Sequence, residues 1–326
     1  MEKTKKSESL RKAYGETLVE LGEKNKDIVV LEADLGKSTM STFFKEKFPE
    51  RYFEMGIAEQ NMASTAAGLA LGGKIPFYST FAVFASGRAY DQIRCSIAIP
   101  GANVKICGSS CGLSDFGDGK THQSVEDANI IRAIPHMTVL NPCDALETKK
   151  MVRAIAVYKG PVYIRINRSD LPVYTPEDEE FKIGKIYPIV DTGDGNADVC
   201  IFATGIMVSK SVEAAELLKD SGISVQVLNV STLKPLLKDE VCKYAQGKKA
   251  VITAEEAVKT GGLGNSIAAI LIEEAVSSGV APAPMVQIAI EDSFGTSAHS
   301  YEELLAEYGL STDSVCLAVK KALRRP

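Results

Sequence analysis

Glu59 lies at the centre of the chemically most suggestive stretch of the chain, Arg51-Tyr52-Phe53-Glu54-Met55-Gly56-Ile57-Ala58-Glu59-Gln60-Asn61-Met62. A single acid follows a short apolar strand and opens a helix of small residues, Ala63, Ala66, Ala67, Gly68 and Ala70. A helix lined this way can approach a neighbour closely, so its first turn suits a buried site. A carboxylate there also complements the helix dipole, and capping alone would account for it. Phe81 and Phe84 stand three apart at a helix start, placed either as ordinary core or as an aromatic wall. The glycine-rich stretch from Gly108 to Gln123 follows a buried strand and carries Asp118 and His122. Long loops of this kind are functional or mobile, and His122 is one of only three histidines, which favours chemistry over core. Arg165 and Arg168 close a later strand, where a guanidinium fork suits phosphate recognition and equally a salt bridge. Cys107, Cys111 and His122 raise a zinc reading. Cys107, however, ends the apolar strand Val104-Lys105-Ile106-Cys107 and no second close ligand pair follows, so these cysteines read as structural.

The elements that must position these residues alternate regularly. Leu10, Ala13, Tyr14, Leu18 and Leu21 recur at helical spacing, which predicts an amphipathic helix over about 9–22. Strands are expected at 28–31, near Phe53, at 75–78, 104–107, 138–140 and 162–166. Helices are expected from Glu59, from Thr80, after Ser124 and through Met151. Such alternation predicts an α/β fold with mostly parallel sheets covered on both faces, and ligands in such sheets bind beyond the carboxyl ends of the strands. Leu171-Pro172-Val173-Tyr174-Thr175-Pro176-Glu177-Asp178-Glu179-Glu180 interrupts the pattern and reads as a solvated linker. A second, smaller α/β series starts at Val199, with strands near 225–228, 250–253 and 286–290 and helices around Ala214, Val241 and Ile267. The expected organisation is a first domain over 1–174, a linker over 175–187 and a second domain over 188–326.

A chain of 326 residues favours two domains. Its formal net charge of −5 argues against general binding of nucleic acid or of an acidic membrane. No run approaches a membrane span, and the basic stretch Met1 to Lys12 lacks the apolar core of a signal peptide. Seven cysteines, an odd number, do not suggest a secreted disulfide framework, so a cytoplasmic protein is expected.

Several words of the sequence, in order, resemble transketolase. They are Ile57-Ala58-Glu59-Gln60-Asn61-Met62, Ser79-Thr80-Phe81, Ala89-Tyr90-Asp91-Gln92-Ile93-Arg94 and Asp118-Gly119-Lys120-Thr121-His122-Gln123, followed by Gly261-Gly262-Leu263-Gly264 and Asp292-Ser293-Phe294-Gly295-Thr296-Ser297. The resemblance covers nearly the whole chain but only the later part of a full-length transketolase, its pyrimidine-binding and C-terminal domains. It implies two parallel-sheet, three-layer domains. It also implies reversible transfer of a two-carbon ketol unit from a ketose phosphate to an aldose phosphate with thiamine diphosphate, a reaction of the pentose phosphate pathway. On this resemblance Glu59 is the catalytic glutamate that hydrogen-bonds the aminopyrimidine, while the cofactor acts as electron sink. Phe81 and Phe84 pack on the pyrimidine, with Ile57 and Arg88 also at the cofactor. A third aromatic found in some members is absent, since Gly87 and Arg88 occupy that turn. His122 would face the donor carbonyl as a second catalytic residue, and Asp118 would contact a sugar hydroxyl. Arg11, Ser38 and Arg168 would hold the sugar phosphate. Ser110 stands where many transketolases carry a further substrate-binding histidine.

The family holds the diphosphate and its metal through a Gly-Asp-Gly motif and a downstream asparagine. Two such tripeptides occur here. Gly193-Asp194-Gly195-Asn196 reads as a hairpin-like polar turn, and the next asparagine, Asn229, sits inside an apolar strand. Gly117-Asp118-Gly119 belongs to the glycine-rich loop. No metal ligand is therefore assigned to this chain. The diphosphate and its Mg²⁺ or Ca²⁺ are expected on a separate N-terminal subunit, in a heterotetramer of two copies of each chain built on a two-fold axis. Three alternatives share features with this reading. A deoxyxylulose-phosphate-synthase-like enzyme shares the Ile57–Gln60 and Ala89–Gln92 words. The β-subunit of a 2-oxo-acid dehydrogenase shares the two-domain design but matches the 118–123 loop poorly. A non-catalytic partner subunit would leave Glu59, Phe81 and His122 without work.

Overall fold

The computed structural model of the chain describes residues 6–192 and 197–324. The Gly193–Asn196 turn lies outside the described residues. Among those described, fourteen strands run in the order β1 (Ser7–Ser9), β2 (Ile28–Glu32), β3 (Tyr52–Glu54), β4 (Ile75–Phe81), β5 (Lys105–Ser109), β6 (Thr138–Leu140) and β7 (Val162–Ile166). They continue with β8 (Asp170–Pro172), β9 (Tyr187–Val190), β10 (Val199–Ala203), β11 (Val225–Asn229), β12 (Thr232–Lys234), β13 (Ala250–Val258) and β14 (Met285–Ile290).

A seven-stranded sheet has the order β12-β6-β7-β5-β4-β2-β3, and a five-stranded sheet has the order β14-β13-β10-β11-β9. All pairs within them are parallel except those made by β12 and β9, each at a sheet edge. The expected α/β architecture is therefore observed. Strand side chains alternate between faces, so Ile28 and Val30 enter one hydrophobic cluster while Val29 and Leu31 enter the other. The second sheet repeats the division, with Ile201 in the first cluster and Cys200 and Phe202 in the second. Each cluster thus draws on both halves of the chain.

Ser9 caps the first long helix (Leu10–Lys24), its side chain accepting from the Lys12 amide at 3.3 Å. The helix from Glu59 runs to Leu71 and buries Met62, Ala63, Ala66 and Ala67. Two expectations need correction. The helix expected from Thr80 begins later, because β4 extends through Phe81 and a π-helical turn follows at Phe84–Arg88. The 171–180 segment is not simply solvated. Leu171 is buried in β8, which pairs with β1, and the Asp144 carboxylate accepts from the Tyr174 and Thr175 amides at 2.8 Å each. Strand β9 pairs with β11, which lies between it and β10.

Strand β12 shows how closely the halves are joined. It comes from the later half of the chain yet pairs with β6 at the edge of the first sheet. Helices Tyr301–Glu307 and Thr312–Leu323 close the chain.

Candidate functional site

Strands β7, β5, β4, β2 and β3 are consecutive neighbours and all parallel. Their carboxyl ends therefore open onto one edge, and every candidate side chain but Arg11 follows one of those ends. Glu59 follows β3, Ser38 follows β2, Phe81 and Phe84 end and follow β4, the 108–123 stretch starts at the end of β5, and Arg168 follows β7. Arg11 joins from the first turn of helix Leu10–Lys24.

Glu59 is the first residue of its helix and only 1% exposed. Arg88 Nη1 donates to both of its carboxylate oxygens, at 2.9 and 3.0 Å. The π-turn places the Arg88 guanidinium over the Phe84 ring, 4.6 Å from its centroid. The Phe81 and Phe84 rings are nearly parallel, 9° apart in plane and 6.1 Å between centroids. His122 meets both rings edge-on, at 6.2 Å from Phe81 and 5.6 Å from Phe84. Its Nδ1 engages Thr121 Oγ1 at 3.0 Å, which orients the ring and turns Nε2 away from that contact. Ile57 is 74% exposed beside this group, available to a second polypeptide.

The other end of this contact series carries two arginines. Arg168 Nη1 donates to Asp115 Oδ2 at 2.9 Å, and its guanidinium lies 5.9 Å from the Phe81 centroid. Arg11 Nη1 donates to the Ser38 carbonyl at 2.8 Å, while its Nε is buried with no hydrogen-bond partner. Burial and then the nearby Arg168 charge lower the Arg11 pKa. Two guanidiniums held together, one with an orphan N–H, make a donor set suited to an anion. Burial raises the Asp115 carboxyl, against the pull of Arg168. Asp118 is exposed in the same loop.

The structure thus brings Glu59, Arg88, Phe84, Phe81, His122 and Arg168 into one continuous chain of contacts, with Arg11 and Ser38 beside Arg168. It does not do so for Arg165. That side chain is fully buried and paired to Asp127 through Nε and Nη2 at 2.8–3.1 Å, so it is a structural ion pair and not a phosphate ligand. Cys107 and Cys111 are buried free thiols, pushed well above the ordinary thiol range by burial. Among the described residues no group of three or more histidine, cysteine or acidic side chains could hold a metal ion. Two participants were not read from the sequence: Asp115, and Ser110 as a strained residue. Ser110 has a φ of +53° and a buried hydroxyl without a partner; a left-handed serine in a glycine-rich loop leaves no sequence signature of its own.

The residues present fit one end of an aminopyrimidine cofactor. A buried carboxylate and a pair of parallel aromatic faces are the donor set such a ring needs.

Comparison with known proteins is consistent over the whole chain. Residues 6–173 match the family model of the transketolase pyrimidine-binding domain, and residues 190–315 match that of the transketolase C-terminal domain. A putative transketolase C-terminal section from Methanocaldococcus jannaschii is 42% identical over 97% of this chain and 96% of its own length. A 6-deoxy-6-sulfo-D-fructose transketolase subunit from a Clostridium strain is 39% identical over 97% of this chain and 95% of its own length. Human transketolase is 35% identical over 95% of this chain, which spans 48% of that protein. A solved split-gene transketolase, described as an inactive β4 tetramer, superposes with a TM-score of 0.85 at 43% identity, over 98% of this chain and 99% of that one.

Proposed function

Since this chain belongs to the transketolase family as a subunit of the split type, we propose that it supplies the pyrimidine-binding half of the active site. The proposed reaction is the reversible transfer of a two-carbon ketol unit from a ketose phosphate to an aldose phosphate. An N-terminal subunit would hold the diphosphate of thiamine diphosphate and its Mg²⁺ or Ca²⁺. Two copies of each chain around a two-fold axis would complete the assembly. The observation that carries this reading is the contact series from buried Glu59 through Arg88 and Phe84 to His122 and Arg168. It joins an acid, an aromatic wall and an anion site on one edge.

When bound, thiamine diphosphate supplies the electron sink for carbon–carbon bond cleavage. The chain's own residues do the rest. Glu59, its side chain only 1% exposed, would exchange its bond to Arg88 for one to the pyrimidine ring nitrogen and hold a proton there. Phe81 and Phe84 would fix the plane of the ring. His122, oriented by Thr121, would present Nε2 to the donor oxygen. Asp118 would accept from a sugar hydroxyl, and Arg11, Ser38 and Arg168 would anchor the phosphate, positioning the reacting carbon. A role in the pentose phosphate pathway and a cytoplasmic setting go with this reading.

The test is to assay the chain alone and then with its partner, each time with thiamine diphosphate, Mg²⁺, xylulose 5-phosphate and ribose 5-phosphate. Activity is expected only in the mixture. Full turnover by this chain alone would refute the division of the site, and no turnover by the mixed complex on any ketose phosphate would refute the activity.

A further inference from the structure

The second domain meets the base of the glycine-rich loop through a buried acid. Glu256, on β13, is 3% exposed, and its Oε1 accepts from the Leu113 amide at 2.7 Å and from the Tyr301 hydroxyl at 2.8 Å. Leu113 starts the part of the glycine-rich loop that carries Asp115, Asp118 and His122. The loop is pinched at its base by a bridge between Gly112 and Ser124. Gly112 has a φ of +62°, and a Cβ there would collide with the Glu256 carboxyl, so the loop passes directly over that acid. Tyr301 in turn accepts from Asn167 Nδ2 at 2.8 Å. Asn167 immediately precedes Arg168, whose own amide donates to Ser114 Oγ at 3.2 Å.

One carboxylate thus ties together the two segments that hold the candidate substrate residues. The far end of the loop is fastened from the same domain. Gln123 Nε2 donates to the Thr296 carbonyl at 2.9 Å, and the Ala298 amide donates to the Phe116 carbonyl at 2.9 Å.

We propose that Glu256 is a positioning residue for the sugar-phosphate end of the active site, through which the second domain sets the placement of His122, Asp118 and Arg168. The proposal rests on the ketol-transfer reading for its kinetic consequence. Glu256 touches neither cofactor nor substrate. It acts as a buried acceptor that holds the Leu113 amide and, through Tyr301, Asn167. Among the described residues no hydrogen bond or ion pair joins it to Glu59 or Arg88, so the acid at the cofactor end is held by other partners.

The test uses the assembled enzyme. Glu256→Ala is expected to lower kcat/KM for the ketose phosphate at least tenfold, since misplacement of about 1 Å costs about 100-fold. Thiamine diphosphate affinity should stay within twofold. Glu256→Gln keeps an oxygen acceptor for both donors and should restore kcat/KM to within about threefold of the native value. Tyr301→Phe removes the hydroxyl that joins Glu256 to Asn167 and leaves the bond to the Leu113 amide, with a two- to fivefold loss of the same kind; it also serves if the alanine variant does not fold. Native-like kcat/KM in the alanine and phenylalanine variants would overturn the proposal, as would a loss shared equally by cofactor affinity, or no rescue by glutamine. Should the native complex show no ketol transfer, the functional reading fails while the clamp is still measured. Amide exchange over 113–122 in the full chain should then be at least tenfold faster in Glu256→Ala or, failing that, detectably faster in Tyr301→Phe, and unchanged exchange overturns it.

Discussion

The Glu59 end of the cleft stands on the ends of regular elements, whereas the Arg168 end is held by residues from far along the chain. Glu59 and Arg88 are 29 positions apart, and Phe81 and Phe84 only three. Across the cleft, Leu113 is tied to Glu256 over 143 positions, Asn167 to Tyr301 over 134 and Gln123 to Thr296 over 173. The first end needs one sheet and the helix starts that follow its strands. The second needs both domains docked. Under the proposed function, a cofactor of constant shape would sit on the end built from regular elements, and the loop-built end would be where sugar specificity changes.

The comparison breaks most visibly at Glu59. Glu59→Gln in the assembled enzyme should lower kcat about 100- to 10,000-fold, the range for loss of a positioned acid–base group, with the fold intact by circular dichroism. Near-normal turnover would remove Glu59 from the chemistry. Arg168→Met should reduce kcat/KM for phosphorylated ketoses about 10- to 100-fold, as expected for a charge-assisted hydrogen bond of roughly 1.5–3 kcal/mol. Non-phosphorylated sugars and thiamine diphosphate affinity should be little affected; an equal loss for both kinds of sugar would place the phosphate elsewhere. Phe84→Ala should do the opposite, weakening thiamine diphosphate about tenfold through loss of a ring contact and its buried area while sparing the sugar-phosphate KM.

The smallest effect concerns Glu32, buried beneath the segment that presents Ser38. Its carboxylate accepts from the Thr39 and Ser41 hydroxyls at 2.8 and 2.7 Å and from the Ala33 and Leu35 amides. Burial nonetheless pushes it from 4.5 up to about 7. Between those values the folded chain keeps a proton that the unfolded chain has released. Its contribution to stability therefore falls as pH rises from about 4.5 to about 7 and is level above that. Urea titrations of Glu32→Gln should show a flatter pH dependence across this window than the native chain. An unchanged slope would mean that Glu32 is ionised throughout.

Much of the first sheet is legible because its strands are short apolar runs and its helices carry a 3.6-residue period. Glu59, Phe81 and Phe84 are legible for a related reason: they sit where one element ends and the next begins. Arg165 and Arg168 show the limit. Two arginines three apart read alike, yet Asp127 claims the first as a buried ion pair and leaves the second at the cleft. Asp115 was hidden similarly, since its significance comes from Arg168, 53 positions away. The 171–180 linker misled because proline and charge signal irregular backbone without saying what covers it.

The amino-acid order by itself determined the alternation of strands and helices, hence a parallel sheet whose carboxyl ends face one way, and the residue types available at those ends. Local periodicity and steric preference act within a few residues and need no partner. Only the tertiary structure decided that β12 completes the first sheet from the second half, that Arg88 covers Glu59, and that Glu256 and Tyr301 hold the loop bearing His122. Those are contacts between groups dozens to more than a hundred positions apart. They form when burial of the shared core brings the two sheets together, and at that point unpaired buried donors and acceptors must find one another.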